Sequence, residues 1–221
     1  LGILALLILF LLPQMRRSSE IRGRSQCRRN LHNIAMALHS YHDVYGSFPP
    51  AYTVDADGRP LHSWRTLILP WVEQQALYDK IDLSKPWDDP ANAEACATTV
   101  PAYRCLTTDL EPQQTVYLAV VTPESCLRPA VSLSISEITD GTPNTIMVVE
   151  VPFQYAVPWM SPQDASEQLV LAPKSDEDPQ HHGGNFRLFA DSRVGLLSSE
   201  LPTATLRALI TAAGGEELEP F

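Results

Sequence analysis

The chain has 221 residues, of which 44% are hydrophobic and 19% charged, and this is ordinary for a globular protein with one sizeable core. Its net charge of −10 is unevenly distributed: residues 14–30 carry six arginines and one acid, whereas the residues after Asn30 carry ten basic and 25 acidic side chains. Phosphate binding needs a basic face, so this acidic part argues against nucleic acid as a partner.

An unbroken apolar run, LGILALLILFLL, occupies residues 1–12 and is followed by Pro13. As a helix these residues would span about 18 Å, whereas a bilayer requires roughly 20 residues, or about 30 Å of helix. A helix that is apolar on every face needs lipid or a large core around it. We therefore predict that residues 1–13 are the C-terminal part of a transmembrane helix, and a signal-peptide core is the other reading. The expected membrane-anchor residues are Leu1, Ile3, Leu7, Phe10 and Leu12.

The helical pattern resumes after Pro13, so residues 14–46 are predicted to be an amphipathic continuation of a proline-interrupted helix. Its apolar stripe consists of Leu31, Ile34, Ala35, Leu38, Tyr41 and Tyr45, and Gly46 with Pro49-Pro50 ends it. Arginine side chains near the membrane surface gain about 1 kcal/mol each from anionic headgroups. We call the predicted headgroup-binding residues the arginine collar: Arg16, Arg17, Arg22 and Arg24.

The remaining residues, 47–221, are predicted to form one head domain. Because strands follow one long helix without βαβ alternation, the fold class is α+β, with the long N-terminal helix packed on an antiparallel β-sheet. The expected elements are a helix capped by Ser63 and broken near Pro70, a short helix at 91–98, strands at 116–121 and 145–151, a hairpin of 186–189 with 193–198 around Asp191-Ser192, and a helix at 203–213. Residues 163–180, rich in polar residues, are predicted to be a mobile loop.

Four cysteines are present, at positions 27, 96, 105 and 126, and none forms a C-x-x-C pair. The sequence therefore encodes no recognisable zinc or thioredoxin-type motif. If the head lies outside the cytoplasm, one or two disulfides are expected. A Cys96–Cys126 bond would close a loop of about 30 residues and stabilise the fold by roughly 3–4 kcal/mol.

Histidines offer two candidate sites, and we prefer a structural interpretation of both. His181-His182 with Asp191 could act as a base with its orienting carboxylate, but adjacent histidines in a strand point to opposite faces. His39 and His42 lie one turn apart on the long helix, yet Asp43 points away and supplies no third ligand. We expect packing or surface histidines.

A calcium-loop opening occurs at Asp55-Ala56-Asp57-Gly58, but Thr66 stands where such a loop needs glutamate. A turn capped by an Asp side chain is the preferred reading. Calcium remains the ion that best suits an acidic extracytoplasmic head, although no cofactor or metal site is predicted. Glycine-rich phosphate loops and a G-x-S-x-G nucleophile motif are missing from the sequence, so we expect no catalytic residues.

Ordered motifs along nearly the whole chain resemble the DUF1559 family, proteins abundant in planctomycete bacteria. They are GILALLILFLLP, the segment beginning at Cys27, IAMALHSYHDVYGSFPPAY, DGRPLHSWRTLILPWVEQQALYDKI, Tyr103-Arg104-Cys105, ISEITDGTPNTIMVVE, AVPWMSP and HHGGNFRLFADSRVGLLSS. The signature residues on this resemblance are Asp140, Gly141, Asn144, Gly183, Gly184 and Asp191. The resemblance implies a prepilin-type N-terminal helix like that of type II secretion pseudopilins.

Three departures from the family pattern bear on these expectations. The prepilin cleavage signature is not visible, and the family's Asp-Gly-Ser turn reads Asp191-Ser192-Arg193, which would place a non-glycine residue where a positive φ suits glycine. The arginine collar follows the apolar run, and by the positive-inside rule this favours a cytoplasmic head. Pilin-like relatives carry the same basic stretch, so we expect an exported head.

The predicted function is therefore that of a non-catalytic, membrane-anchored, pilin-like protein whose head is periplasmic or at the cell surface. Its expected partners are the membrane and other pilin-like subunits, reached through the N-terminal helix. The alternative is a membrane-tethered binding module for a polymeric or glycan ligand, with a hydrolase less favoured. Exposed aromatic residues would carry that function, namely Trp64, Trp71, Trp87 and Trp159.

Overall fold

A computed structural model gives the fold and describes residues 2–106, 110–172, 184–197 and 201–216, with side chains described from Ile21 onward. The first element, α1, is a helix of 44 residues, Gly2–Tyr45. It continues through Pro13, where the sequence predicted an interruption. Proline removes one hydrogen bond and bends a helix, but the turns on either side keep theirs, so a long helix can pass through it. As predicted, α1 ends at Gly46, whose φ is +78°.

The described residues of the head form three antiparallel sheets. A four-stranded sheet has the order β4-β5-β7-β8, and two-stranded sheets pair β1 with β2 and β3 with β6. The strands are β1 (Tyr52–Val54), β2 (Pro60–Ser63), β3 (Gln114–Thr115), β4 (Tyr117–Ala119), β5 (Ile146–Glu150), β6 (Val157–Pro158), β7 (Phe186–Phe189) and β8 (Val194–Leu196). All residues of β5 and β7 are buried, as expected for central strands that are covered on both faces.

The C-terminal half of α1 lies on this head and contacts β7, β8 and the 3-10 helices Leu69–Val72 and Pro101–Tyr103. Its buried face contains Leu31, Ile34, Ala35 and Leu38 of the predicted stripe and adds Cys27, Asn30 and Ala37. Tyr45, predicted to belong to the stripe, is exposed. The α+β fold, with a long N-terminal helix packed on antiparallel strands, is confirmed.

Short helices fill the connections, and they are α2 (Trp64–Leu67), α3 (Gln75–Tyr78), α4 (Ala93–Cys96), α5 (Glu167–Leu171) and α6 (Thr203–Ala208). The Ser63 side chain caps α2, as predicted, and accepts a hydrogen bond from the Arg65 backbone N–H. The predicted break falls at the 3-10 helix that contains Pro70. The last helix, α6, is shorter than the predicted 203–213.

A buried ion pair stands at the centre of the head. Arg65 donates to Asp164 at 2.6 Å, and the two side chains are only 0% and 3% exposed. The same guanidinium donates to the backbone carbonyls of Tyr117, Trp159, Ser161 and Gln163. Burial raises the pKa of Asp164, while the Arg65 charge and the hydrogen bonds from Arg65, Ala119 and Trp64 oppose that shift. The network ties α2, β4 and the segment 159–164 together.

The prediction of a mobile loop at 163–180 is wrong for its first part, because this network and a short helix order residues 164–171. Asp164 is fixed in the core, and the segment Glu167–Leu171 forms α5, capped by Ser166. The polar composition of the segment suggested solvent exposure. A carboxylate that contacts an arginine 99 positions away leaves no local sign of its burial. Residues 173–180 lie outside the described residues.

Candidate functional site

The first candidate site is the N-terminal half of α1, for which the sequence predicted membrane contact. Leu1 lies outside the described residues, and for Ile3, Leu7, Phe10, Leu12, Arg16 and Arg17 only the helical backbone is described. Of the other two collar residues, Arg22 is exposed, whereas Arg24 is half-buried with its guanidinium 5.7 Å from the centre of the Phe186 ring. Arg24 thus contacts the head and is not directed wholly outward.

Across the part of the chain that the structure describes, no helix combines the length and the apolar character needed to cross a membrane.

A buried polar cluster lies where α1 meets the head, and we call it the junction cluster: Cys27, Cys105, Tyr117, Glu150 and Arg187. Cys27 comes from α1, and its Sγ is 2.7 Å from the Sγ of Cys105. Cys105 Sγ lies 3.6 Å from a carboxylate oxygen of Glu150. Tyr117 and Glu150 face each other in the register of β4 and β5, so the sheet fixes their positions.

The Glu150 carboxylate accepts a hydrogen bond from the Phe186 backbone N–H at 3.1 Å, and the Glu150 carbonyl accepts one from Arg187 at 3.3 Å. Burial lowers the pKa of Arg187 to about 10, while the Glu150 charge opposes this. The hydrogen bond with Cys105, followed by burial, raises the pKa of Cys27 far above its ordinary range. Burial and the neighbouring cysteines and Glu150 also raise the pKa of Tyr117. The cluster therefore favours the neutral thiol of Cys27 when that residue is reduced.

A metal ion is one chemistry that this donor set suggests, because two sulfurs and one carboxylate lie within 4.8 Å of one another. Zinc binds thiolate sulfur at about 2.3 Å, so two sulfurs on one tetrahedral zinc stand ~3.8 Å apart. The Sγ atoms here are 2.7 Å apart, which is too close for two ligands of one ion. The geometry fits a bond between the sulfurs better than coordination by both.

The two cysteines in contact are not those of the predicted pair. All four cysteines are free thiols in the structure: Cys96 is half-buried, Cys126 is buried, and Cys27 and Cys105 are buried with their sulfurs in contact. Sequence spacing could not reveal this pair, because 78 positions separate its members. A signal was nevertheless present, since both cysteines lie inside motifs that carry the family resemblance. Glu150 was also detectable, as the one charged residue in the apolar run TIMVVEV.

A second candidate site is an open groove of about 300 Å³ between α1 and the segment 71–74. Trp71 and the exposed Met36 line part of it. The rest of its lining is mostly polar and includes Gln26, Asn30, Asn33, Glu73 and Gln74. Glu73 has a φ of +62°, an uncommon conformation for a residue other than glycine. Beside the groove, the Trp71 ring packs edge-on against Tyr41 at 5.6 Å and Tyr45 at 6.2 Å. Amides, a carboxylate and aromatic faces are the groups that recognise polar ligands with apolar faces.

The four tryptophans do not form one exposed face. Trp64 and Trp159 are buried in the core, where the Trp64 N–H donates to Asp164 and the Trp159 N–H to the Thr98 carbonyl. Trp71 and Trp87 are only partly buried and pack against the core. A four-tryptophan binding surface is therefore excluded, and Trp71 alone lines the groove among the four.

The histidine and calcium-loop candidates have structural partners. His39 Nε2 bonds to the Ala190 carbonyl at 3.0 Å, and His42 Nε2 accepts from the Ile135 N–H at 3.2 Å. The Asp55 carboxylate accepts from the backbone N–H groups of Asp57 and Arg59, which makes it the cap of the β1–β2 turn. The preferred structural interpretations of these residues are confirmed. His181, His182 and Gly183 lie outside the described residues.

The family signature around Asp140 forms a structural turn. The Asp140 carboxylate accepts from the Gly214 N–H at 2.7 Å, the Gly215 N–H at 2.9 Å and the Thr211 hydroxyl at 3.2 Å. Gly141 has a φ of +91°, which suits glycine, and the Asn144 side chain donates to the Asp140 carbonyl. The second signature turn keeps a positive φ of +71° at Ser192, as predicted, with Asp191 accepting from the Arg193 N–H. Gly184 has a φ of +100°.

Replacing Asp140 with alanine is expected to lower the free energy of unfolding by about 2 kcal/mol, because three hydrogen bonds to a charged acceptor are lost. Urea unfolding measures this, and hydrogen exchange should speed up at residues 209–215. The matched control is Asp191→Ala, which removes an exposed turn carboxylate and should cost under about 1 kcal/mol. Equal losses in the two variants would contradict the assigned role of Asp140.

The model of a family described as "Protein of unknown function (DUF1559)" matches residues 22–125. This match supports the family resemblance found in the sequence motifs, and it covers most of the packed part of α1, the groove and both Cys27 and Cys105. No curated protein and no solved structure shows a significant match to the chain.

Proposed function

We propose that the protein is a non-catalytic, pilin-like structural or interaction protein, anchored in a membrane through α1, with its acidic head in the periplasm or at the cell surface. The observation that carries this proposal is the layout of α1. One continuous helix has a wholly apolar N-terminal sequence and a C-terminal half that is buried against the head. An anchor joined to a domain in this way needs no flexible linker.

The length of α1 supports the proposal. A straight helix of 44 residues is about 66 Å long, whereas a compact domain of the size of residues 47–221 is about 40 Å across. The helix is thus longer than the head that it packs on. The N-terminal end of the helix, residues 1–12, is apolar, and the arginines between residues 16 and 29 supply the positive charges that follow it.

The helix also retains surface for a second subunit. On the part of α1 whose side chains the structure describes, four large hydrophobic side chains are exposed, and they are Ile21, Met36, Val44 and Tyr45. Apolar side chains on an exposed helix face are a feature of helix–helix contacts between subunits. They support the part of the proposal in which α1 bundles with other pilin-like helices.

The absence of catalysis is part of the proposal and is supported by burial. Cys27 and Cys105, the nucleophilic side chains with the most unusual surroundings, are both 0% exposed. A substrate cannot reach them without opening the contact between α1 and the head. Arg65 and Asp164 are buried as well and are occupied by each other and by backbone groups.

The proposal is tested by fractionating cells that express the full-length protein. We expect the protein in the membrane pellet, resistant to alkaline carbonate and released by detergent. Cross-linking in intact cells should then give oligomers through the N-terminal helix. A soluble monomer processed behind Leu12 would contradict anchoring, and anchored protein without any cross-linked species would contradict assembly only.

The groove beside α1 supports a second candidate function, a membrane-tethered module that binds a polymeric or glycan ligand. The sequence suggested four tryptophans as ligand-binding residues, whereas the groove contains only Trp71 of these four, together with polar side chains. The strained conformation of Glu73 at the groove wall favours this candidate, since such strain concentrates at functional positions.

Replacing Trp71 with alanine is expected to weaken the binding of any groove ligand by about tenfold, equivalent to ~1.4 kcal/mol of lost aromatic contact. A panel of neutral oligosaccharides, followed by intrinsic fluorescence, serves as the probe. Phe153→Ala removes an exposed aromatic ring that does not line the groove and should leave binding unchanged. Equal binding by the native protein and the Trp71 variant would remove the groove as the site.

A further inference from the structure

We propose that Cys27 and Cys105 form a disulfide that covalently joins the long helix to the head. Formation of this disulfide does not depend on whether α1 is anchored in a membrane. Its two Sγ atoms lie 2.7 Å apart, which is closer than two unbonded sulfur atoms normally approach and near the ~2.05 Å of a disulfide. Both side chains are 0% exposed.

Contacts other than the sulfurs hold the two cysteines in place. Asn30, one turn beyond Cys27 on α1, donates to the carbonyl of Arg104, the residue before Cys105, at 2.6 Å. The Gln26 side chain donates to the side-chain Oδ1 of Asn30 at 2.8 Å and so fixes the orientation of that amide. These hydrogen bonds bring the backbone segments together whether or not the sulfurs are bonded.

The segment before Cys105 is itself fixed to the core. The Tyr103 hydroxyl donates to the Arg65 carbonyl at 2.7 Å, and the Tyr103 side chain is fully buried. Cys105 is therefore presented from a rigid part of the head, while Cys27 is presented from a helix. Two sulfurs placed by rigid elements at this distance have little freedom to separate, which favours an intramolecular bond over pairing with another chain.

The bond forms by exchange with an external disulfide, such as oxidised glutathione or the disulfide of an oxidoreductase. The exchange takes place during folding, before the contact between α1 and the head buries the cysteines. In the first step one cysteine loses its proton, and its thiolate attacks that disulfide, giving a mixed disulfide and a leaving thiolate that takes up the proton. In the second step the other cysteine attacks the mixed disulfide, giving the Cys27–Cys105 bond and releasing a second thiol. The two cysteines thus lose two hydrogens and two electrons, and the external disulfide accepts them and is reduced to two thiols.

The bond would stabilise the attachment of α1 to the head. It closes a chain segment between residues 78 positions apart, and long closures restrict the unfolded chain most. Oxidising compartments outside the cytoplasm favour such bonds, in agreement with the proposed location of the head. The burial of both sulfurs then keeps reductants away from the finished bond.

The test uses the purified full-length protein in detergent, refolded with oxidised glutathione. We expect the intact mass to be about 2 Da below that of the reduced protein. Digestion without reductant should join the peptides containing Cys27 and Cys105, with Cys96 and Cys126 alkylated. Reduction should lower the melting temperature by roughly 10–15 °C.

Two double variants serve as controls. Cys96→Ser/Cys126→Ser should keep the mass difference and the effect of reductant, and Cys27→Ser/Cys105→Ser should lose both. Alkylation of Cys27 and Cys105 in the oxidised protein, a Cys96–Cys126 linkage, or bound zinc released by thiol reagents would each overturn the proposal. Because no membrane is involved, this result is separate from the outcome of the fractionation experiment.

Discussion

Replacing Leu7 and Phe10 together with arginine is expected to release the protein from membranes. The two positions lie three residues apart on one face of α1, within the apolar run. Each arginine in the centre of an inserted helix costs roughly 2.5–3.5 kcal/mol, and the lost apolar side chains add to that cost. The membrane–water partition coefficient should therefore fall by a factor of at least about 1,000, as measured by quantitative blotting of pellet and supernatant.

A control on the same helix separates anchoring from a general effect of charge. Met36 is 53% exposed on the part of α1 that lies on the head, so Met36→Arg places the same charge where water is already present. This variant should remain in the membrane pellet and keep its melting temperature. A double Leu7/Phe10 variant that sediments like the native protein after carbonate washing would contradict the anchoring role of residues 1–12.

Replacing Arg65 with methionine is expected to lower the free energy of unfolding by roughly 3–5 kcal/mol. The substitution leaves the Asp164 carboxylate buried without its positive partner, and it removes the donors of four backbone carbonyls. Because the loss comes from the uncompensated buried groups, it should appear as a lower urea midpoint with little change in slope.

The chain contains a matched surface pair for comparison. Arg207 and Glu167 are also 2.6 Å apart, but their side chains are 58% and 35% exposed. Arg207→Met should cost under about 1 kcal/mol, because water screens an exposed pair and solvates the partner that remains. If both arginine variants lose the same stability, burial is not what makes the Arg65 network important.

The parts of the fold that sequence reasoning predicted are those with a local cause. The buried positions Leu31, Ile34 and Leu38 follow a helical period, and the apolar run at β5 is bounded by turn residues. Gly46 ends α1 and Ser192 takes a positive φ, since both are set by the backbone of a few neighbouring residues.

The features that the sequence could not predict depend on partners far along the chain. From the sequence, Asp164 was predicted to lie in a solvated loop, but in the structure it is buried and paired with Arg65. Trp64 and Trp159 were predicted to be candidates for ligand binding, but both are buried in the core. The sequence suggested Cys96 with Cys126, a pair that would close a loop of about 30 residues. The contact between α1 and the segment 101–105 places Cys27 next to Cys105 instead.

The location of the head is the central claim and is tested most directly by protease accessibility in spheroplasts of cells expressing the full-length protein. A trypsin site is available in the native head, because Lys80, which precedes Ile81 after α3, has 62% of its side chain accessible. The account predicts that trypsin added outside intact spheroplasts digests the head while a cytoplasmic marker survives. A head that is digested only after the membrane is lysed would contradict it and would place the arginine collar in agreement with the positive-inside rule.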